Sequence, residues 1–155
     1  GRHYLSQNPS LCTEARDVLL NGKSMAVKWN MVESGNLNDK PEDIRKVWEA
    51  GKHRFRQPWR ITYTFVTGYG GNKPNTPSDI LEEIFHRFAP NQMSSYDGWN
   101  GGYYGNRVPI SILEHPNCPE NIAVIASASN HEKLKQAGFA ALVRLKRSHK
   151  RAKTA

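Results

Sequence analysis

The sequence predicts an all-α fold, a short α-solenoid of about four to five degenerate helical repeats with loop insertions. Three observations predict it. A four-residue turn recurs along the chain, a segment with helical periodicity follows each copy, and residues that favour helix starts stand between the two. The chain has 155 residues, of which 37% are apolar. That length and composition suit one domain or one repeat array with a thin, continuous core.

The recurring turn contains Pro or Gly, then Ser or Asn, then a small or apolar residue. Its four copies are Asn8-Pro9-Ser10-Leu11, Ser34-Gly35-Asn36-Leu37, Lys73-Pro74-Asn75-Thr76 and His115-Pro116-Asn117-Cys118. These residue types favour turns over helix or strand interiors. The interval between the first two copies is close to a bare two-helix unit, whereas the later intervals require insertions. Composition places the insertions at residues 51–58, 68–73 and 89–105, which are expected to be loops.

Each turn is followed by apolar residues at the i, i+3, i+4 spacing of one helical stripe. The four stripes are Ala15, Val18 and Leu19; Ile44, Val47 and Trp48; Ile80, Leu81, Ile84 and Phe85; and Ile122, Ile125 and Ala126. Helix starts are predicted at Thr13-Glu14, Pro41-Glu42-Asp43, Pro77-Ser78-Asp79 and Pro119-Glu120. In these, Pro and acidic residues occupy the first turn, where both are favoured. Shorter apolar segments precede the turns at residues 4–5, 27–32, 61–66 and 108–113, and residues 134–143 form a partial fifth unit.

The predicted core follows from these stripes. It comprises Leu5, Val18, Leu19, Trp29, Met31, Ile44, Val47, Ile61, Phe65, Leu81, Ile84, Ile112, Ile122, Ile125 and Leu142.

Two copies of the unit, residues 4–14 and 107–120, resemble the leucine-rich repeat variant family. These are the closest copies, and both carry the Asn-Pro or His-Pro turn followed by an acidic helix start, Asn8-Pro9 before Glu14 and His115-Pro116 before Glu120. The resemblance implies a right-handed stack of alternating α and 3₁₀ helices. It implies no common activity, because that family has none. The chain lacks the cysteine cluster that some members carry ahead of their repeats, so no iron–sulfur role is implied.

Positive charge is concentrated at the C-terminal end. The net charge is +8, from 22 Lys and Arg against 14 Asp and Glu. From residue 133 onward there are eight cations and no acid, so the rest of the chain is balanced. We therefore divide the chain into a repeat domain, residues 1–143, and a basic C-terminal tail, residues 144–155. A second cationic cluster, interleaved with aromatic residues, lies in the middle of the chain at residues 45–60.

Cations of this kind neutralise phosphates and release counterions, which gives salt-dependent affinity for nucleic acid. Aromatic residues among them suit base stacking. The sequence therefore predicts a non-enzymatic nucleic-acid-binding protein, with DNA or RNA as the partner. The predicted contacts are Lys52, Arg54, Arg56, Arg60, Arg144, Lys146, Arg147, Lys150 and Arg151. An alternative for the mid-chain cluster is a surface loop whose Phe55 and Trp59 pack inward while the cations stay solvated.

A second function remains open, that of a protein–protein interaction adaptor that binds an acidic partner or a component of a larger complex. Residues 94–106 combine aromatic residues with Gly and Asn, a composition typical of recognition loops. A loop of this length is usually functional or disordered, and both alternatives stay open here. The predicted partner-binding residues are Tyr96, Trp99, Tyr103 and Tyr104. The basic tail would steer the encounter with an acidic surface.

No pattern points to catalysis, a small-molecule substrate, a cofactor or a metal. His115 and Cys118 supply half of a metal site at most, since zinc requires at least three protein ligands. Cys118 occupies a turn position held by Leu in other copies, which predicts a buried apolar role. Glu82 and His86 are expected to form a solvated i, i+4 contact. Two cysteines and no long apolar run predict a cytoplasmic protein without a membrane span.

Overall fold

The computed structural model describes residues 2–8, 10–56, 58–93 and 108–154, and for residues 2, 3, 58, 59 and 88–93 it describes the backbone alone. The described residues are helical, with turns and one isolated β-bridge between Tyr69 and Asn72. The all-α prediction is confirmed for this part of the chain.

The helices follow one another along the chain with short connections. In order they are α1 (Arg2–Ser6), α2 (Thr13–Asn21), α3 (Met25–Glu33), α4 (Pro41–Gly51), a 3₁₀ turn (Lys52–Arg54), α5 (Pro58–Ile61), a π-helix (Thr62–Thr67), α6 (Ser78–Met93), α7 (Val108–Leu113), α8 (Glu120–Ser127) and α9 (Glu132–Thr154). The chain divides into two compact units, Gly1–Ile80 and Leu81–Ala155.

The predicted helix starts are confirmed for α2, α4, α6 and α8. In α4, Pro41 occupies the first turn, where its missing N–H costs no hydrogen bond, and Glu42 and Asp43 complement the helix dipole. In α3 the Ser24 hydroxyl caps the helix by accepting a hydrogen bond from the Val27 N–H at 3.4 Å.

The first unit is organised around α3, which contacts α1, α2, α4 and the π-helix. Among the side chains that the structure describes, its core contains a cluster of four aromatic rings, in which Trp48 and Phe65 meet edge to face with centroids 5.1 Å apart. Phe55 lies against both of them and against Trp29. In the second unit, α9 packs along α8 and contacts α7.

Most of the predicted core is buried. The confirmed positions are Leu19, Met31, Ile44, Val47, Ile61, Phe65, Leu81, Ile84, Ile112 and Ile122. Trp29 and Leu142 are half-buried. The prediction was wrong for Leu5, Val18 and Ile125, because they are 54%, 68% and 42% exposed.

The exposed positions lie on the outer sides of short helices that bury one narrow stripe. In α2 the buried residue is Leu19, and Val18 is rotated away from it by about 100°. In α8 the buried stripe is Ile122, Ala123 and Ala126, which leaves Ile125 outside.

Two of the predicted loops contain helix. The segment from residue 51 forms the end of α4 and the 3₁₀ turn before Phe55 turns inward. The loop predicted to begin at residue 89 was wrong at its start, because α6 continues through Met93. The glycine-rich segment 68–73 is a turn, and Gly68 adopts a φ of +70°. A Cβ at Gly68 would lie 2.2 Å from the Asn72 carbonyl oxygen, so both conformation and space require glycine.

The four helices that follow the recurring turns, α2, α4, α6 and α8, are here called the main helices. Polar contacts join each of the first three to the start of the next main helix. Arg16, in the first turn of α2, pairs with Asp39 just ahead of α4 at 2.7 Å. Arg45 of α4 pairs with Asp79 at the start of α6. Glu82 of α6 accepts a hydrogen bond from the Asn121 amide at the start of α8. We call these three contacts the rungs. The first two lie in the first unit and the third in the second.

The turns are also connected by buried or part-buried asparagines. The Asn36 side chain donates to the Ser6 carbonyl at the end of α1, at 3.2 Å. One turn later along the chain, the Asn75 side chain donates to the Asn38 carbonyl at 3.0 Å. Asn36 and Asn75 occupy the same position of the recurring turn, directly after its Gly or Pro. In both cases, an asparagine after the turn's marker residue satisfies a carbonyl of the preceding segment.

Candidate nucleic-acid interface

The mid-chain cations are largely neutralised within the molecule. Lys52 pairs with Glu49 at 3.0 Å, and Lys46 pairs with Asp43 at 3.6 Å. Arg45 belongs to a rung and also contacts Glu42. These pairs reduce the positive potential that the sequence assigned to this segment.

Arg60 serves the fold of the first unit. Its guanidinium lies 3.5 Å from the carboxylate of Glu33, which is buried. It also lies 5.9 Å from the ring centroids of Trp29 and Tyr63, within cation–π range. Half-buried and paired, Arg60 is a poor phosphate contact, so we remove it from the candidate interface.

Burial raises the pKa of the Glu33 carboxyl, because the charged form loses its hydration. The Arg60 charge and a hydrogen bond from the Thr64 hydroxyl, at 3.2 Å, act in the opposite direction. Thr64 belongs to the π-helix, a rare element that often marks functional sites. The side chains of this π-helix are mostly buried, and the Thr64 hydroxyl donates a hydrogen bond to Glu33 of the Arg60–Glu33 ion pair.

Arg54 and Arg56 are exposed mid-chain cations, as is Lys46, but Lys46 pairs with Asp43. Neither arginine has a carboxylate within ion-pair distance among the residues that the structure describes. Phe55 between them is buried against Trp48 and Phe65, so the segment holds two cations outward around an inward aromatic anchor. This agrees with the alternative that Phe55 packs inward, whereas the Trp59 side chain lies outside the described set.

The C-terminal cations belong to the long helix α9, and the predicted boundary at residue 143 falls inside it. The helix buries Leu134, Gly138 and Ala141. Leu142 and Leu145 extend that stripe as half-buried positions, and every residue from 146 to 154 is exposed. The last turns of α9 therefore project beyond the packed part of the helix.

Arg144, at the junction, has a structural role. Its guanidinium donates to the Leu113 carbonyl at 2.5 Å and to the His115 carbonyl at 3.3 Å. The Leu113 carbonyl ends α7 and otherwise needs a partner, and the His115 carbonyl follows it in the next turn. Arg144 therefore ties α9 to α7, and in the predicted basic tail the cations beyond it are the candidates for a ligand.

Lys146, Arg147, Lys150 and Arg151 are exposed, and Lys153 joins them. Within the described ranges, no carboxylate lies within 4.0 Å of any of these five. At about 100° per residue they spread over an arc of about 160° of the helix surface, centred opposite the stripe of Leu134, Gly138 and Ala141. The arrangement can neutralise several phosphates at once.

Sequence analysis missed an exposed apolar pair on this same arc. Phe139 and Val143 are 52% and 48% exposed, one turn apart, and precede Lys146 on the outward face. The signal was present, because both positions fall opposite the Leu134–Gly138–Ala141 stripe on a helical wheel. It was obscured because residues 134–143 were taken together as one apolar segment.

The predicted partner-binding residues Tyr96, Trp99, Tyr103 and Tyr104 lie outside the described residues. The expected contact between Glu82 and His86 is present at 3.6 Å, and both side chains are solvent-accessible. Glu82 is also the acceptor of the third rung.

The His115–Cys118 turn is built as a local structure. The buried His115 ring accepts a hydrogen bond from the Asn117 N–H through Nδ1 at 3.0 Å, and the Cys118 N–H donates to the His115 carbonyl. Cys118 is buried, which confirms its predicted apolar role. In the ranges that the structure describes, no group of three or more His, Cys, Asp or Glu is placed to hold a metal ion.

Among the helices of those same ranges, none is long and apolar enough to span a membrane. No family model, curated protein or solved structure matches the chain.

Proposed function

We propose that this chain is a non-enzymatic nucleic-acid-binding protein that contacts phosphates through the exposed end of α9. One observation carries the proposal, the array of five exposed cations on Lys146–Lys153, which have no carboxylate partner among the residues that the structure describes. Because these charges lie outside the packed stripe and are exposed, a polyanion reaches them without disturbing the core. Phosphates are contacted without reference to base identity, so the proposed binding is sequence-independent.

The proposal takes its phosphate contacts from Lys146, Arg147, Lys150 and Arg151, together with Lys153. Arg54 and Arg56 serve as secondary contacts in the first unit. Lys52, Arg60 and Arg144 are left out, because each is engaged within the fold. The interface that we propose therefore leaves out three of the cations that the sequence predicted as contacts.

We further propose that the helices are degenerate repeats of one unit, as in a leucine-rich repeat variant array. The rungs support this, because each joins the fourth or fifth residue of a main helix to the start of the next one. The equivalent roles of Asn36 and Asn75 in successive turns support it as well. Repeats of this kind bury their cores against their neighbours, which agrees with the short length of most helices in the described ranges.

A salt titration tests the proposed function. We expect the triple variant K146Q/K150Q/K153Q to bind short DNA more weakly and to lower the slope of log Kd against log salt by about two to three. The matched control K23Q/K40Q/K73Q removes the same charge from three lysines elsewhere and leaves the slope nearly unchanged. Equal effects of the two variants would show that net charge alone attracts DNA, and the proposal would be wrong. It would also be wrong if DNA did not bind and an acidic protein bound through these lysines.

A further inference from the structure

The apolar pair on α9 stands in line with the proposed phosphate contacts. Phe139 and Lys146 are seven residues apart, which places them on one face about 10 Å apart along the axis. Lys135, one turn before Phe139, lies on that face as well. An exposed aromatic ring is thus flanked along the helix by cations on both sides.

Resting on the proposed function, we propose that α9 prefers single-stranded nucleic acid, with an unpaired base stacked on Phe139 and neighbouring phosphates bound by Lys135, Lys146 and Lys150. Phe139 exposes about half of its surface, so a ring face is available to a ligand. A single strand offers free base faces together with its phosphates. In a duplex the bases are already stacked on one another, so Phe139 would add little to binding there.

The ratio of cations to exposed apolar residues on α9 favours a nucleic acid over an anionic membrane as the ligand. An interfacial helix needs a broad apolar face that enters the lipid. The outward face of α9 offers only Phe139 and Val143 as large apolar residues, and the turns that follow are dominated by Lys and Arg. That pattern fits a ligand with many charges and one or two exposed rings.

The test compares three fluorescent probes of about 12 nucleotides, which is within the range of site sizes for single-strand-binding surfaces. They are oligothymidylate, an abasic strand with the same phosphates, and a duplex. We expect the full chain to bind oligothymidylate more tightly than the abasic strand. Phe139→Ala removes that preference and weakens oligothymidylate binding at least about fivefold, while affinities for the abasic strand and the duplex stay unchanged.

Three further variants make the result specific to the ring. Phe139→Trp retains the preference, whereas Phe139→Leu loses it although an apolar side chain remains. Val124→Ala removes an exposed apolar side chain from α8 and changes nothing. Because all of these positions are exposed, the variants keep the helical circular dichroism and melting temperature of the parent.

The outcomes separate the two proposals. Salt-dependent binding with equal affinity for oligothymidylate and the abasic strand would overturn the stacking role and leave phosphate binding standing. Binding of none of the probes would overturn both. Co-sedimentation with phosphatidylserine vesicles that Phe139→Ala abolishes, without any preference among the strands, would assign the surface to a membrane and overturn this inference.

Discussion

Gly138 of α9 faces the backbone of Ser127 in α8 so closely that a Cβ at Gly138 would lie 2.4 Å from the Ser127 nitrogen. It would also lie 2.8 Å from the Ala126 carbonyl carbon and 3.0 Å from the Ala123 carbonyl oxygen. These neighbours are backbone atoms, which cannot move aside as a side chain can. The two helices therefore approach through small residues, with Gly138 and Ala141 on one side and Ala123 and Ala126 on the other.

Gly138→Ala is expected to destabilise the protein although alanine is the better helix former. The intrinsic gain of about 1 kcal/mol is outweighed by forcing the helices apart, which costs about 1–3 kcal/mol. Chemical denaturation followed by circular dichroism measures the difference. Ser148→Ala, at an exposed position of the same helix, is the control and leaves stability equal or slightly higher. A Gly138→Ala variant that is as stable as this control would contradict the close approach.

Arg60→Gln is expected to destabilise the first unit by about 1–3 kcal/mol at neutral pH, because it leaves the Glu33 carboxylate buried without its cation. The pKa of Glu33 is raised above 4.5 by burial, and removal of Arg60 raises it further. A buried acid with a raised pKa binds protons more readily in the folded state, so the penalty grows as the pH rises above about 4.5 and shrinks as the pH falls toward it.

Denaturation of the parent and of Arg60→Gln across this pH range measures how the loss of stability changes with pH. Lys46→Gln removes a cation of the same cluster that is itself highly exposed and pairs with the half-buried Asp43, and it should change stability by at most about 0.5 kcal/mol at every pH. If the penalty for Arg60→Gln were independent of pH, the Glu33 pair would not be its cause.

The starts of the main helices could be predicted from sequence because each rests on a local signal. Proline and acidic residues at the start of a helix act within one turn, so α4 begins at Pro41 whatever packs against it. Most large apolar residues of the stripes were also predicted correctly as buried. Ile44 and Val47 are examples, because large apolar side chains are favoured in the core over solvent.

The outward position of Ile125 could not be predicted by following large apolar residues. Gly138 of α9 determines which face of α8 packs against it. The close approach at Gly138 accommodates Ala123 and Ala126 and leaves no room for a larger side chain. Size complementarity between α8 and α9 therefore determines which face of α8 is buried. The apolar periodicity of the α8 segment alone does not show this.

The same limit applies to the candidate interface. Charge counting selected Lys146 and Arg147 as candidate contacts, and both are exposed on a helix that has no acid beyond Glu132. It overestimated Arg60, whose partner Glu33 is distant in sequence and approaches only in the folded chain. Net charge along a sequence shows where cations are numerous, and folding decides which of them remain available.

A coupling between Arg16 and Asp39 is expected from the first rung. Because Asp39 is solvent-exposed, a double-mutant cycle of Arg16→Gln and Asp39→Asn should give about 0.5 kcal/mol. Arg16 lowers the pKa of Asp39, so the coupling is present above the ordinary Asp pKa of about 4 and is lost as the pH falls through the lowered value. The cycle with Asp17→Asn, a neighbouring carboxylate, should give nearly zero. Equal couplings would indicate a general charge effect and no specific rung.

The two cysteines are expected to differ sharply in reactivity. Burial raises the pKa of the Cys118 thiol to about 11, although the Arg144 charge acts against this shift, so the thiolate is scarce at about pH 8. Cys12 is exposed. Titration of the folded chain with a chromogenic disulfide reagent should show one thiol reacting quickly and the second only after denaturant is added. Cys12→Ser should abolish the fast phase, and Cys118→Ser should retain it. Two thiols reacting at equal rates in the folded chain would mean that the turn at His115–Cys118 is open to solvent.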